Sequence, residues 1–325
     1  MLSIDVPPSP SVRRRWSLGA AACTLAFALT ACGSGGADAG AEGETRSFAS
    51  DHTGEEVQIP AEPKRIVAIG WAVTPLISVE EANLVGVSRG TQDMSLTPEE
   101  LERVEELPEI GVDLEINIEQ VAELKPDLIV SGLASAMEYD YSELEKIAPV
   151  AVAAMNEPAE WKDMNERVAD AAGVADAHAE LIEKYDERAA EISEEYPDVL
   201  EETDFAAVAA YGDGNWTLEH EKSFGPNVPS DAGLRFSEAA EDGAFSESHA
   251  VEDLDLLNDY DAVLVREEDG EPEAEIGEIM EQGPWKETEP AQQDKVFAVP
   301  HLGAMSYTSG LLVFDELENR VLKKL

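Results

Sequence analysis

Short, unbroken apolar runs recur along this chain, each ended by a turn residue or a polar one. Ile66-Val67-Ala68-Ile69 runs into Gly70, Leu128-Ile129-Val130 into Ser131-Gly132, and Ala262-Val263-Leu264-Val265 into Arg266. Runs this short and this uniformly apolar suit strands that are buried on both faces. Between them lie helix-compatible stretches. Residues 65–70 read as a strand, Val73 to Ala82 as a helix and Leu84 to Val87 as a strand. Glu119 to Leu124 reads as a helix stopped by Pro126, with a strand over Asp127 to Gly132. Tyr141 to Ile147 reads as a helix that leads through Pro149 into Val150-Ala151-Val152. Strands alternating with helices across short connections predict an α/β layer with a mostly parallel sheet.

A long helical stretch follows, from about Ala159 to Glu195, interrupted at Gly173. Leu181, Tyr185, Ala189, Ile192 and Tyr196 recur at spacings of three or four, which places an apolar stripe on one face. The pattern then repeats. Phe205 to Tyr211 reads as a strand, Gly225 to Gly233 frames a short helix, Val251 to Leu257 is helical, Lys295 to Pro300 is a strand and Ser309 to Leu322 a closing helix. The expected fold class is α/β: two Rossmann-like lobes with mostly parallel sheets joined by a single long helix. The expected boundaries are 47–172 for the first lobe, 173–197 for the connecting helix and 198–325 for the second, with ordered structure starting near Phe48.

The N-terminal region carries a different signal. Arg13, Arg14 and Arg15 precede an apolar run from Leu18 to Ala31 that is well short of the roughly 20 residues needed to cross a bilayer. Leu29-Thr30-Ala31-Cys32 closes it and resembles the lipobox of bacterial lipoproteins, in which the cysteine is acylated and becomes the new N-terminus. Residues 1–31 are then a signal peptide and Cys32 the lipidated residue, which places the protein outside the cytoplasm and anchored to the cell membrane. The Gly-, Ala-, Ser- and acid-rich segment over 32–46 reads as a flexible tether. Cys23 would be discarded with the leader, so no disulfide is expected. Both Sec and twin-arginine export fit the leader.

The formal net charge is −48, from 22 basic and 70 acidic side chains. Such a field repels nucleic acid and anionic headgroups, which excludes a phosphate backbone as the main partner. The acids are scattered along helices without an EF-hand pattern, as on a solvated surface or on proteins adapted to salt. His52, His178, His220, His249 and His301 show no HExxH or other paired spacing. Gly212-Asp213-Gly214 lacks the third glycine of a dinucleotide loop, and no Gly-x-Ser-x-Gly elbow is present. Neither a metal centre nor an enzyme nor a cofactor is expected.

An ordered set of phrases resembles one family. Pro63-Lys64-Arg65-Ile66-Val67-Ala68, Asn117-Ile118-Glu119-Gln120-Val121 with Leu124-Lys125-Pro126-Asp127-Leu128-Ile129, and Ile147-Ala148-Pro149-Val150 are similar to the first lobe of the iron-siderophore and cobalamin class of ABC-importer substrate-binding proteins. Phe224-Gly225-Pro226-Asn227, Tyr260-Asp261-Ala262-Val263, Pro284-Trp285 and Lys295-Val296-Phe297-Ala298-Val299 are similar to its second lobe. The resemblance implies an interlobe ligand cleft, modest closure, a monomer, and a permease partner coupled to an ATPase. It also implies that one acid on each lobe docks on permease arginines, and the matching positions are Glu119 and Glu252.

Ligands of open α/β sheets bind beyond the carboxyl ends of the strands. That rule nominates Trp71, Arg89, Ser131, Leu133, Tyr139, Trp216, Arg266, His301 and Tyr307 as ligand-binding residues. Several siderophore binders of the class carry an arginine two or three residues after the glycine matching Gly111, where this chain has Val112, Asp113 and Leu114. Loss of that cation favours a neutral or cationic ferric hydroxamate over an anionic catecholate or citrate complex. The expected function is capture of a ferric siderophore for an ABC importer. The alternatives are a receptor for cobalamin, haem or another chelate, a non-transporting sensor lipoprotein, and a secreted hydrolase.

Overall fold

The structure, a computed structural model, describes residues 43–325 apart from 114, 136, 213 and 239–242. Cys32, the leader, most of the tether, Leu114 and Asp213 lie outside the described residues. The ordered fold begins with an antiparallel hairpin of β1 (Thr45–Ser50) and β2 (Glu55–Pro60), a few residues before Phe48. This hairpin was not expected. Its buried positions are Phe48, Ser50 and Ile59, too sparse an apolar signal to mark two strands in the sequence.

The first sheet contains β3 (Ile66–Gly70), β4 (Leu84–Arg89), β5 (Glu109–Val112), β6 (Glu115–Ile116), β7 (Leu128–Ala134) and β8 (Val150–Met155). Its order is β6-β5-β4-β3-β7-β8, parallel except for the antiparallel β5–β6 pair. The all-apolar strands are explained by what covers them. In β3, Ile66 and Ala68 join one apolar cluster, while Val67 and Ile69 join another on the opposite face.

The second sheet comprises β9 (Phe205–Ala209), β10 (Trp216–Glu219), β11 (Ser246–His249), β12 (Ala262–Glu268), β13 (Glu271–Pro272) and β14 (Val296–Pro300). Its central strands β9, β12 and β14 are parallel, while β10, β11 and β13 pair antiparallel. Leu264 and Val265 of β12 likewise point into separate clusters. The two sheets share one apolar cluster, which runs from Ile66 and Leu128 through Trp161 and Tyr185 to Phe205, Val299 and Phe314.

The long helical stretch is two helices, Trp161–Ala172 and Ala175–Glu195. Gly173 caps the first in the left-handed region, at φ 74°. The second buries His178, Tyr185, Ala189 and Ile192, so the stripe read at the Tyr185 face is the packed face, against the closing helix Tyr307–Arg320. Three helices differ from expectation. Val73–Ile77 is a single turn and a half, Tyr141–Glu143 is a short 3-10 turn, and Val251–Asp259 is 3-10 throughout. Helical pieces this short hold their form through tertiary packing, so apolar spacing overstated the length of the first two and did not reveal the 3-10 form of the third.

Contacts between the lobes are specific. Trp161 Nε1–H donates to Asn227 Oδ1 at 2.9 Å, and Asn165 Nδ2 donates to the Met305 carbonyl at 3.1 Å. Ser95 Oγ accepts from the Met305 N–H at 3.2 Å, and Thr308 Oγ1 donates to the buried Glu100 carboxylate at 2.7 Å. Among the described residues no helix is long and apolar enough to cross a membrane.

Candidate functional site

The carboxyl ends of the parallel strands place several of the predicted residues at the edges of the two sheets. In the first lobe, the backbone N–H of Trp71 donates to the Gly132 carbonyl at 2.9 Å, so the turn after β3 is locked to β7. A Cβ on Gly132 would lie 2.6 Å from the Ala72 nitrogen, which is why glycine stands at this crossing. The Trp71 side chain remains half-buried against the shared core.

Arg89 ends β4 and its Nε donates to Asp93 Oδ2 at 2.8 Å. The Asp113 N–H donates to the Arg89 carbonyl at 2.7 Å, and Asp113 Oδ1 accepts from the Thr91 N–H at 2.9 Å. The acid that stands where the family resemblance led us to look for an arginine therefore caps the turn after β4.

Tyr139 lines two cavities on the first lobe. One, of about 460 Å³, is bounded by Glu115, Ile116, Asn117, Ile118, Asp140 and Glu143. The other, of about 310 Å³, lies beyond the ends of β7 and β8, with Asp51, His52, Leu133, Met137 and Tyr141 in its wall. Tyr139 and Tyr141 meet edge to face at 4.8 Å. Leu133 is buried but contributes to the second cavity, whereas Ser131 is fully buried and its hydroxyl pairs with Tyr141 Oη at 2.9 Å. Burial pushes the Tyr141 phenol up to about 12, so it stays protonated and hydrogen-bonded.

In the second lobe, Arg266 of β12 lies beside Val299 of β14 in the parallel register. Its Nη2 donates to Glu219 Oε1 at 2.7 Å and to Tyr211 Oη at 3.3 Å, and its Nη1 lies 3.7 Å from Glu273 Oε2. Burial works against the guanidinium charge, but Glu219, Tyr211 and Glu273 outweigh it and its pKa is raised. Tyr211, just past β9, was absent from the predicted set although the residue is 59% exposed and its ring centre sits 5.9 Å from the Arg266 guanidinium carbon. The sequence pattern ran the strand through Tyr211, whereas β9 ends at Ala209, and an earlier strand end would have nominated it. Glu219 and Glu273 were also missed, since nothing in the sequence distinguishes them among so many acids.

Like Ser131, two predicted aromatic residues of the second lobe are buried. Trp216 is fully buried: its Nε1–H donates to the Ala250 carbonyl at 2.9 Å, and its ring stacks on His249 at 4.7 Å. Tyr307 is buried in an aromatic cluster, its ring 4.8 Å from Trp161 and 5.2 Å from both His178 and Tyr185. Both side chains are consumed by packing, because the sequence position after a strand does not say which way a ring turns. His301 is half-buried in the turn after β14 at φ 58°, and burial lowers its pKa.

Glu119 is exposed in the first turn of the helix Ile118–Leu124, whose N-cap Asn117 accepts from the Gln120 N–H at 3.1 Å. Glu252 is exposed in the first turn of the 3-10 helix Val251–Asp259. Among the described residues no group of three or more His, Cys, Asp or Glu side chains is arranged to hold a metal ion.

Comparison with known proteins agrees with this architecture. The chain is 28% identical over 201 residues to the probable siderophore-binding lipoprotein YfiY of Bacillus subtilis (strain 168), covering 60% of each chain, which is under two thirds of that relative's length. It is 33% identical over 133 residues to the iron(3+)-hydroxamate-binding protein YxeB of the same organism, covering 41% of this chain and 38% of YxeB. Among solved structures, the siderophore periplasmic binding protein from the fuscachelin gene cluster of Thermobifida fusca superposes with a TM-score of 0.70 at 27% identity, covering 82% of this chain and 98% of that one. Staphylococcus aureus SirA, complexed with staphyloferrin B, shares the fold with a TM-score of 0.66 at 20% identity, covering 86% of this chain and 100% of that one. The family model described as periplasmic binding protein matches residues 66–301, a span that takes in every strand of the two six-stranded sheets and the helices between them, and the chain belongs to the periplasmic binding protein family.

Proposed function

We propose that this protein captures a neutral or cationic ferric chelate of the hydroxamate type and delivers it to an ABC importer. The observation that carries the charge preference is the state of the two predicted cleft arginines. Arg89 is paired with Asp93, and Arg266 with Glu219 and Glu273. Neither cation is left over to neutralise a multiply anionic complex, and the chain as a whole bears −48. Trp71, Tyr139 and Tyr211 offer aromatic surface for a chelate's organic shell, Leu133 lines a cavity with Tyr139, and His301 is a further candidate. The names of the two Bacillus subtilis relatives support iron chelates as the cargo class.

In this reading the protein binds and releases without catalysis, while the partner ATPase supplies the energy. Cys32 is the lipid-modified anchor, and Glu119 and Glu252 dock on the permease. The exposure of both acids supports the docking role, and a carboxylate in a first helical turn is stabilised there by the helix dipole. Tryptophan-fluorescence titration against ferric hydroxamates, ferric catecholates, haem and cobalamin tests the cargo. Saturable submicromolar-range quenching by a ferric hydroxamate, absent with the metal-free ligand, is expected. Tighter binding of a ferric catecholate would overturn the charge preference, and haem or cobalamin binding alone would overturn the siderophore reading.

A further inference from the structure

We propose that Glu219 is the positioning residue that sets the cargo's charge, by binding Arg266 to itself and so removing that cation from the ligand-facing edge of the second lobe. The inference rests on the ferric-chelate reading and adds to it the residue responsible for selectivity. Glu219 ends β10, antiparallel to Ala207 of β9, and is 2% exposed. Every contact it makes fixes its orientation. Oε1 accepts from Arg266 Nη2 at 2.7 Å and from Tyr211 Oη at 3.0 Å, and Oε2 accepts from the Gly225 N–H at 3.0 Å. A Cβ on residue 225 would come within 2.4 Å of Oε2, so the glycine is what lets the carboxylate reach the backbone.

The geometry leaves one guanidinium facing two carboxylates, since Glu273 Oε2 is 3.7 Å from Nη1. The cluster therefore carries a net negative charge, and the exposed Tyr211 ring stands over it. Buried charges act on an approaching ion through low-dielectric surroundings, so a single unit of charge here discriminates strongly between cargoes of opposite sign. The amide of Glu219→Gln keeps the shape and one acceptor oxygen toward Arg266 and Tyr211, gives up the Gly225 N–H bond, and leaves the Arg266 charge less compensated.

The experiment compares the full-length wild-type chain and Glu219→Gln in detergent. Each is titrated with ferrioxamine B, a monocationic ferric trihydroxamate, and with ferric enterobactin, a trianionic tris-catecholate. The expected result is a shift of roughly tenfold in relative affinity toward the anionic complex. A purely structural ion pair would weaken both cargoes alike and leave the ratio unchanged. Glu273→Gln, at a more exposed side chain, gives a second test that does not depend on the buried site folding: the same direction with a smaller shift is expected. An unchanged ratio in a variant that still binds ferrioxamine B overturns the role of Glu219 and leaves the cargo reading standing. Failure of the wild-type chain to bind either complex overturns the cargo reading and this inference together.

Discussion

The edges of the two lobes are built by different means. The first lobe holds its edge by close backbone approach: Gly132 admits the turn at Trp71, and Arg89 pairs with Asp93 at the surface, where both side chains keep about a quarter of their exposure (25% and 23%). The second lobe holds its edge with a buried charge, for Arg266 is 10% and Glu219 2% exposed. Similar sequence signals, an arginine at the end of a parallel strand, thus mark a solvent-screened pair in one lobe and a structural charge network in the other. An arginine at a strand end is available to a ligand only if the protein has not already supplied its counter-ion.

The sharpest way to break this contrast is Arg266→Ala. It would leave the Glu219 carboxylate buried without its cation, and a loss of about 3 to 5 kcal/mol in urea-denaturation stability is expected. A loss under about 1 kcal/mol would mean that the second-lobe pair behaves like the first-lobe one. The helix between the lobes offers a pH test. Burial among aromatic rings pushes the His178 imidazole down to about 4, against an ordinary value of 6.5. The unfolded chain binds that proton more readily, so the contribution of neutral His178 is complete above about pH 6.5 and is lost as pH falls toward 4, on the order of 2 to 3 kcal/mol. His178→Phe should flatten the stability profile in that window relative to wild type. An identical slope in both proteins would assign the acid sensitivity to carboxylates instead.

Gly132→Ala tests the backbone approach in the first lobe. The new methyl would press on the Ala72 nitrogen and on the Trp71 carbonyl carbon, 2.9 Å away, with an expected cost of about 1 to 3 kcal/mol and a shifted tryptophan emission. Neutral stability would show that the turn yields easily. The smallest effect belongs to Arg89→Ala, under about 1 kcal/mol, because the pair it breaks is solvent-screened. Charge reversal at exposed Glu119 and Glu252 should leave both stability and cargo affinity intact while abolishing transport in cells. Preserved transport would remove their docking role.

Local pattern made the central strands legible. Residues 66–69, 128–130 and 262–265 stand out as uniformly apolar runs because both faces of their strands are covered. The Gly173 break and the Tyr185 face were legible for a similar reason, since helix capping and 3.6-residue spacing are local properties. The hairpin β1–β2 and the antiparallel strands β10 and β11 were not. Edge strands such as Ser246–His249 are polar and owe their form to a neighbour that local spacing does not reveal.

By itself, the sequence determined the α/β alternation, the place of the joining helices, the acidic charge and the strand ends where a ligand site would lie. Only the tertiary structure decided which of those strand-end side chains remain available. Trp216 and Tyr307 turn inward to complete cores, Ser131 is bound by Tyr141, and Arg266 is bound by Glu219 from another strand. The reason is physical. Strand and helix formation follow from periodicity along the chain, whereas burial and charge pairing depend on residues such as 219 and 266 that meet only once the sheet has formed.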